Sequence, residues 1–225
     1  MTTETTPRAS RTLPWMATFS GKPFTPMHPD PGSIDLPSIA HALSNICRFG
    51  GHCKRFYSVA QHSVLVKRQA AHLLEEAQRD DQSIVERLVD LGNIMRAALL
   101  HDAAEAYIGD VIQPIKPYVA VRSDTLRGDF GMLEACVLCA VHSALCVAWP
   151  VADRHAEIIH EADLILCATE GQQLMGGIYG DRECPAWDIT KVVEPDPDLV
   201  IEPVGPEAAE QMFLEEAWKL GVKER

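Results

Sequence analysis

The sequence predicts an all-α domain of about five to seven helices with a small N-terminal hairpin. Apolar residues recur every three or four positions through most of the chain, the pattern of helices that bury one face. Only one stretch has the alternation and central glycine of a strand pair. The 225 residues contain no internal repeat and no second apolar core, so one domain is expected.

The N-terminal region contains the one strand signal. Residues 1–14 are polar and rich in Pro, Arg and Thr, which predicts a disordered segment. A weak alternation over residues 15–27, with Gly21 near its centre, predicts a short hairpin. We therefore expect residues 15–225 to form the single domain, with this hairpin at its start.

Start and stop signals divide the rest of the chain into helices. Asp35, with Pro37 behind it, predicts the start of the first helix. Ser58 and Gln61 predict a capping box, in which Ser58 caps the second helix and Gln61 reaches back. These signals and the apolar spacing predict helices over residues 35–47, 58–78, 83–102, 123–147, 152–174 and from 206 onward, with loop or extended chain over 179–204.

Charge and hydropathy exclude several classes of function. The formal net charge of −12 argues against binding to polymeric nucleic acid or to an anionic membrane surface. The most apolar run, residues 135–149, is shorter than the ~20 residues of a membrane-spanning helix, so a buried helix is expected there. No secretory signal is visible at the start of the chain, so we expect a cytoplasmic protein.

The seven cysteines are an odd number and lie mostly within apolar helical patterns. Without a secretory signal, reduced cysteines in the core are expected. Cys136 and Cys139 have the spacing of a zinc or redox motif, but no second pair accompanies them, so the sequence predicts that they pack in the core.

The stretch that carries chemistry is residues 97–105, where an apolar run ends in His101 and Asp102, with Glu105 one helical turn further on. Three ionisable groups among alanines and leucines need a compensating partner, and a divalent cation is the simplest. An alternative is a hydrogen-bonded core pair of His101 and Asp102, with Glu105 in solvent. One histidine and one carboxylate cannot fill a coordination shell, so further ligands decide between the two.

Two further candidates complete a ligand set. His62 and Asp163 each interrupt a strongly apolar helix face, so that two histidines and two carboxylates come from three predicted helices. Taken singly, His62 could be a hydrogen-bonded core histidine and Asp163 a capping or salt-bridged carboxylate. Taken together with His101 and Asp102, they predict a metal site.

On these residues the chain resembles the HD-domain phosphohydrolases, whose metal site has the same order of ligands. The resemblance covers about residues 36–175 and implies a single HD-domain helical bundle. Within this superfamily the chain most resembles the 5'-deoxynucleotidase branch and its phage relatives that hydrolyse deoxynucleoside triphosphates, including the dATP triphosphohydrolases. The motifs that carry it are Arg48 with Phe49, residues 57–63, residues 99–105, Gly109 with Asp110, residues 114–116 and residues 161–163.

The resemblance implies that one divalent cation is bound by four residues, His62, His101, Asp102 and Asp163. Mn, Co, Fe or Zn suits two imidazoles and two carboxylates, with open positions for water and a phosphate oxygen. Glu105 matches the general acid/base. Asp110 matches a second acidic residue, which would transfer a proton or hold a second ion such as Mg; a simple turn residue is its alternative.

The same resemblance implies a phosphate site and a sugar site. Arg48 would bind phosphate through its fork and Lys116 as a point charge, although both could instead be solvated surface cations. Phe49 matches an aromatic position that packs on the sugar. Lys54 and Arg55 are near enough in sequence to contact a longer phosphate chain.

The implied function is a metal-dependent phosphohydrolase of 2'-deoxynucleotides, either a triphosphohydrolase of the dATP type or a 5'-deoxynucleotidase on monophosphates, in a homo-oligomer. A non-catalytic nucleotide-binding module would be expected to have lost ligands or Glu105. A di-iron oxygenase on the same scaffold would need further histidines, and residues 103–110 contain none.

Overall fold

The computed structural model describes residues 14–77, 83–122, 127–175 and 192–224. Within these ranges the all-α class is confirmed, because seven helices account for nearly all of the regular structure. The helices are α1 (Leu36–Asn45), α2 (Val59–Ala77), α3 (Ile84–Leu99), α4 (Glu105–Ile108), α5 (Phe130–Ala144), α6 (Asp153–Leu174) and α7 (Pro206–Lys219). The predicted disorder of residues 1–14 falls, apart from Pro14, outside the described residues.

Four short strands form two antiparallel pairs. The predicted N-terminal hairpin is present as β1 (Met16–Ala17) and β2 (Pro23–Phe24), with Gly21 at φ +80° in its turn. A second pair, β3 (Ala120–Arg122) and β4 (Arg127–Asp129), was not expected from the sequence.

Helix α2 is the centre of the fold, since it packs against α1, α3, α6 and α7. All residues from Val59 to Lys67 are buried, including His62. A helix segment that is buried all round, as this first half of α2 is, must satisfy its polar side chains with neighbouring elements rather than with water. This burial explains why the polar groups of α2 meet side chains from the turn after α3 and from α6.

Side-chain caps explain where several helices begin. The Asp35 carboxylate accepts a hydrogen bond from the Ser38 N–H, and Ser83 with Glu86 forms a full capping box at α3. Ser58 caps α2 as predicted, but the second half of that capping box is wrong. Gln61 instead donates to the Glu202 carbonyl and accepts from the Val204 N–H, which attaches the C-terminal segment to α2.

The helix predicted to run into His101 and Asp102 ends earlier, at Leu99. Beyond it the chain tightens into turns in which Ala103 N–H bonds to Leu100 C=O and Glu105 N–H bonds to Asp102 C=O. Such three-residue bonds form the narrower 3₁₀ geometry, which is common at helix ends. His101 and Asp102 therefore lie in a turn between α3 and α4.

The predicted helix over residues 123–147 also needs correction. Residues 123–126 lie outside the described part, β4 occupies Arg127–Asp129, and α5 begins only at Phe130. Its start is fixed by Asp129, whose carboxylate accepts from the Met132 N–H. Residues 192–204 contain no helix or strand, as predicted, whereas residues 176–191 lie outside the described part.

The six described cysteines are free, as expected, but the prediction that they lie in the core is wrong for two of them. Cys139 and Cys146 are exposed. Among the described residues, no helix combines the length and the apolar character that crossing a membrane requires.

Candidate active site

Three of the four predicted metal ligands, His62, His101 and Asp163, meet in the structure, and the fourth, Asp102, lies beside both histidines. His62 Nε2 on α2 lies 3.1 Å from Asp163 Oδ1 on α6 and 3.6 Å from Asp102 Oδ2. His101 Nε2 lies 3.1 Å from the same Asp102 oxygen. One ligand atom each from His62, His101 and Asp163 lies within 4.8 Å of the others. We refer to His62, His101, Asp102 and Asp163 as the His–Asp cluster.

The Nδ1 atoms of His62 and His101, which face away from the cluster, each have a hydrogen-bond partner. His101 Nδ1 lies 2.8 Å from the Ala98 carbonyl oxygen, and His62 Nδ1 lies 2.6 Å from Glu170 Oε1. Because a carbonyl and a carboxylate only accept, each Nδ1 carries a proton, so in the neutral form of each ring it is Nε2 that presents a lone pair to the cluster. This is the tautomer that a metal-binding imidazole requires.

The two Nε2 atoms provide a test of whether a cation fits. Both are buried, and neither makes a hydrogen bond within the described part of the chain. A buried polar atom without a partner costs about 1–3 kcal/mol, which a bound cation would offset. Two imidazoles and two carboxylates are a donor set of the transition metals and zinc. The residues therefore fit a divalent cation.

The two carboxylates of the cluster are held in their ionised form. Burial alone would raise the pKa of Asp102, but His101, His62 and Arg48 hold that pKa well below its usual value. Burial likewise opposes ionisation of Asp163, and the neighbouring His62 lowers its pKa. Ionised carboxylates are the form that binds a cation.

Glu170 is the functional candidate that sequence reasoning missed. Its side chain is fully buried on α6 and contacts His62, Tyr57 and Arg48. Burial would raise its pKa, but the charges of Arg48 and His62 and the hydrogen bonds of His62 and Tyr57 lower it, so Glu170 is a carboxylate. Its position two helical turns after Asp163, on the same face of an apolar helix, is the signal that could have found it.

Glu105, the predicted acid/base, is buried at the start of α4. Its Oε2 has no hydrogen-bond partner among the described residues. Burial raises the pKa of its carboxyl, and the nearby charges of Asp102 and Asp110 raise it further. A carboxyl with a raised pKa can hold a proton at neutral pH and donate it.

Asp110 follows Gly109, which turns the chain at φ +79°. Burial and the charge of Asp102 raise the pKa of Asp110, while the opposite charges of Arg48 and Lys116 counteract that rise. Asp110 therefore lies within electrostatic reach of the His–Asp cluster and of both predicted phosphate-binding cations.

Each of the two predicted phosphate-binding cations lies beside a carboxylate and an aromatic ring. Arg48 Nη1 is 3.7 Å from Asp102 Oδ2, and its guanidinium lies 5.3 Å from the centroid of the Phe49 ring. Lys116 Nζ donates to Glu134 Oε1 at 2.8 Å and lies 5.8 Å from the centroid of the Phe130 ring. Neither cation is the freely solvated residue of the alternative interpretation.

Lys54 and Arg55 are exposed, and within the described part of the chain neither side chain contacts the His–Asp cluster. The Lys54 backbone N–H bonds to the Leu174 carbonyl. Arg55 lies against the C-terminal segment, with Nη1 3.7 Å from Glu202 Oε2 and Nη2 3.3 Å from the Pro203 carbonyl.

The helical fold and the His–Asp cluster together define an HD-domain protein. A family model described as "5'-deoxynucleotidase YfbR-like" matches residues 37–146, a range that contains Arg48, His62, His101, Asp102 and Glu105. The chain belongs to this YfbR-like family. Membership implies a phosphohydrolase, and His62, His101 and Asp163 could hold a metal ion.

Two relatives extend the similarity beyond the family match. The chain is 29% identical over 203 residues to the uncharacterized protein YfdR of Escherichia coli, with 90% of this chain and 93% of the relative covered. It is 31% identical over 166 residues to the uncharacterized protein RCAP_rcc00048 of Rhodobacter capsulatus, with 72% of this chain and 74% of the relative covered.

Proposed function

We propose that this chain is a metal-dependent hydrolase of 2'-deoxynucleotides that cleaves the bond between the 5'-oxygen and the α-phosphorus. The observation that carries the proposal is the His–Asp cluster, in which two buried Nε2 atoms and two ionised carboxylates meet beside Arg48. The description of the family model, 5'-deoxynucleotidase, supports the substrate class.

The cluster would hold the cation through His62, His101, Asp102 and Asp163. When bound, a divalent cation supplies Lewis-acid chemistry, since it neutralises phosphate charge and makes water more acidic. Mn, Co and Zn are the candidates, and Mg is the candidate for a second ion near Asp110.

The chain's own residues would supply binding and proton transfer. Arg48 would bind the α-phosphate through the guanidinium nitrogens that face Asp102, and Lys116 would contribute a second positive charge. Glu105 would donate its proton to the departing 5'-oxygen, because its burial favours the protonated carboxyl. Asp110 would assist this proton transfer, and Phe49 would pack on the deoxyribose.

Monophosphates and triphosphates are both compatible with this chemistry. Water adds to the α-phosphorus in each case, and the products are a deoxynucleoside with phosphate or a deoxynucleoside with triphosphate. The family description favours the monophosphate. The exposed cations Lys54 and Arg55, close in sequence to Arg48, favour a triphosphate such as dATP, although Arg55 already contacts Glu202.

The test is a substrate panel with the full chain. Protein stripped of metal is supplied with Mn, Co, Zn or Mg and given each dNMP, each dNTP and their ribose counterparts, and products are separated by chromatography. We expect metal-dependent release of deoxynucleoside. Loss of turnover in His62→Ala, with turnover kept in His72→Ala on the exposed face of the same helix, would support the assignment. Metal-independent turnover, or none with any substrate, would contradict it and favour a non-catalytic module.

Two further expectations are proposals of the same kind. We propose that residues 15–225 form one domain and that the chain assembles as a homo-oligomer. Limited proteolysis should leave one stable fragment close to this range, and light scattering coupled to size exclusion should give a mass above the 24.8 kDa of one chain. A monomeric mass at assay concentration would contradict the second proposal.

A further inference from the structure

A single buried carboxylate, that of Glu170, joins the metal side of the site to the phosphate side. Its Oε1 lies 2.6 Å from His62 Nδ1 and accepts a hydrogen bond from the Tyr57 hydroxyl at 2.7 Å. Its Oε2 accepts from Arg48 Nε at 3.1 Å. The three partners come from the chain around the start of α2, whereas Glu170 comes from α6.

The contact with His62 determines which nitrogen faces the His–Asp cluster. With Nδ1–H donated to Glu170, Nε2 faces Asp163 Oδ1, 3.1 Å away. A carboxylate on the outer nitrogen of a metal-binding histidine fixes the ring orientation and increases the basicity of the other nitrogen. Loss of this contact would free the ring to rotate or to change tautomer.

The contact with Arg48 determines where the guanidinium fork points. Nε is held by Glu170, and Nη1 lies 3.7 Å from Asp102 Oδ2. The Arg48 side chain is only 12% exposed, so it has little freedom to adopt another position. A guanidinium fixed through Nε keeps its remaining N–H groups available for a phosphate.

Tyr57 completes the arrangement without touching the cluster. Its hydroxyl and ring are fully buried, and its hydrogen bond goes to the same Oε1 that contacts His62. The Glu170 carboxylate is therefore held by a neutral donor as well as by its two functional partners. These three hydrogen bonds hold the Glu170 carboxylate in a position from which it contacts both His62 and Arg48.

We propose that Glu170 is a positioning residue that aligns His62 toward the cation and Arg48 toward the phosphate through its two carboxylate oxygens. The proposal rests on the proposed function. It concerns one residue outside the family-matched range of 37–146, on a helix that the match does not cover.

The decisive variant is Glu170→Gln, which keeps the shape of the side chain. An amide has one accepting oxygen and one donating nitrogen, so it can serve His62 Nδ1–H or Arg48 Nε–H but not both. The matched control is Glu161→Gln on the exposed side of α6. Glu170→Asp keeps the charge that balances Arg48 but is one methylene shorter, and it replaces Glu170→Gln in every measurement if that variant does not fold.

The first readout is binding of Co²⁺ to metal-free protein, followed by calorimetry and by visible absorption, with no substrate present. In Glu170→Gln we expect the dissociation constant for Co²⁺ to rise about 10- to 100-fold, which is the usual effect of losing a carboxylate that contacts a metal-binding histidine. The Co²⁺ spectrum should also change in Glu170→Gln, whereas Glu161→Gln should show neither change. The second readout is steady-state kinetics at saturating metal, where the misaligned Arg48 should raise KM. Circular dichroism and thermal unfolding establish that each variant is folded.

Each outcome separates this inference from the proposed function. If the wild-type chain binds Co²⁺ and turns over deoxynucleotide while Glu170→Gln matches it in affinity, spectrum and KM, the positioning role is wrong and the proposed function stands. If the wild-type chain does not bind Co²⁺, the proposed metal-dependent function is contradicted, and the positioning role that rests on it is contradicted with it. A folded Glu170→Gln with weaker Co²⁺ binding and a changed spectrum supports the positioning role, even if no substrate has been found.

Discussion

Asp163 on α6 and His62 on α2 approach each other with Oδ1 and Nε2 3.1 Å apart. These two residues share a site with His101 and Asp102, which lie in the turn between α3 and α4. Because the proposed ligands come from separate parts of the chain, the proposed cation site can form only when α2, α3 and α6 are packed together. Binding of a cation should therefore stabilise the folded state.

The first prediction concerns this linkage. Saturating Co²⁺ should stabilise the metal-free protein by about 2.7 kcal/mol when its concentration is 100 times the dissociation constant. Asp163→Asn should lose most of this stabilisation, because it removes one charged ligand. Thermal unfolding with and without Co²⁺ measures it, with Asp153→Asn in the exposed first turn of α6 as the control. If Co²⁺ stabilises Asp163→Asn and the control equally, Asp163 is not a ligand of the cation.

The second prediction separates proton transfer from metal binding. Glu105→Gln should bind Co²⁺ as tightly as the wild-type chain but lose about 10²- to 10⁴-fold in kcat, since the amide has no proton to donate to the leaving oxygen. Calorimetry measures the first quantity and product release the second. Glu157→Gln, exposed on α6, provides the control. An unchanged kcat in Glu105→Gln would assign the acid/base role elsewhere, with Asp110 as the next residue to test.

The third prediction concerns phosphate binding. Lys116→Met keeps the aliphatic stem beside Phe130 and removes the charge. A hydrogen bond to a charged group contributes about 1.5–3 kcal/mol, so KM should rise by roughly 10- to 150-fold. Lys219→Met, at an exposed position near the end of α7, should leave KM unchanged. Equal KM values in the two variants would show that Lys116 serves only its ion pair with Glu134.

Much of the fold, in particular where several helices begin, could be predicted from residues that are close together in the sequence. Asp35 and Ser58 cap helices at the starts predicted for them, because capping needs only a side-chain oxygen and nearby backbone N–H groups. The helix predicted to begin at about residue 83 begins there too, capped by Ser83. Gln61 was misinterpreted because a tertiary contact, to the backbone of residues 202 and 204, replaced a local one. The β3–β4 pair was missed because a three-residue strand is too short to show a recognisable alternation of apolar and polar residues.

The site shows the same division between local and tertiary information. His101, Asp102 and Glu105 are close in sequence, and Asp163 could be found because a carboxylate interrupts an apolar helix face. Glu170 meets the same criterion, but the role proposed for it depends on contacts with residues more than one hundred positions away. No sequence spacing within α6 indicates which partners lie across the helix interface.

The fourth prediction is a pH dependence of stability at the start of α1. Asp35 accepts from Ser38 N–H at 2.8 Å and Ser20 Oγ at 2.5 Å, and it lies 3.4 Å from Lys22 Nζ. Burial alone would raise its pKa, but these partners lower it below the usual value. A group with a lowered pKa in the folded state stabilises the fold above its ordinary pKa and loses that contribution as the pH falls through the folded pKa.

Asp35→Asn keeps an accepting oxygen for the cap but removes the charge, so it should lower the free energy of unfolding by about 1 kcal/mol at pH 7. The difference between wild type and variant should shrink as the pH falls below about 4, where the wild-type carboxylate becomes protonated. Urea unfolding at pH 7 and at successive lower pH values measures the difference. A difference that stays constant with pH would contradict the role of the Asp35 charge.

The most direct test of the central claim is the position of the cation itself. A crystal of the full chain grown with Zn²⁺, measured at the zinc absorption edge, should give one anomalous peak at about 2.0–2.2 Å from ligand atoms of His62, His101, Asp102 and Asp163. A peak at another place, or a peak here that Asp163 or His62 does not reach, would contradict the account of this site as a single-cation phosphohydrolase centre.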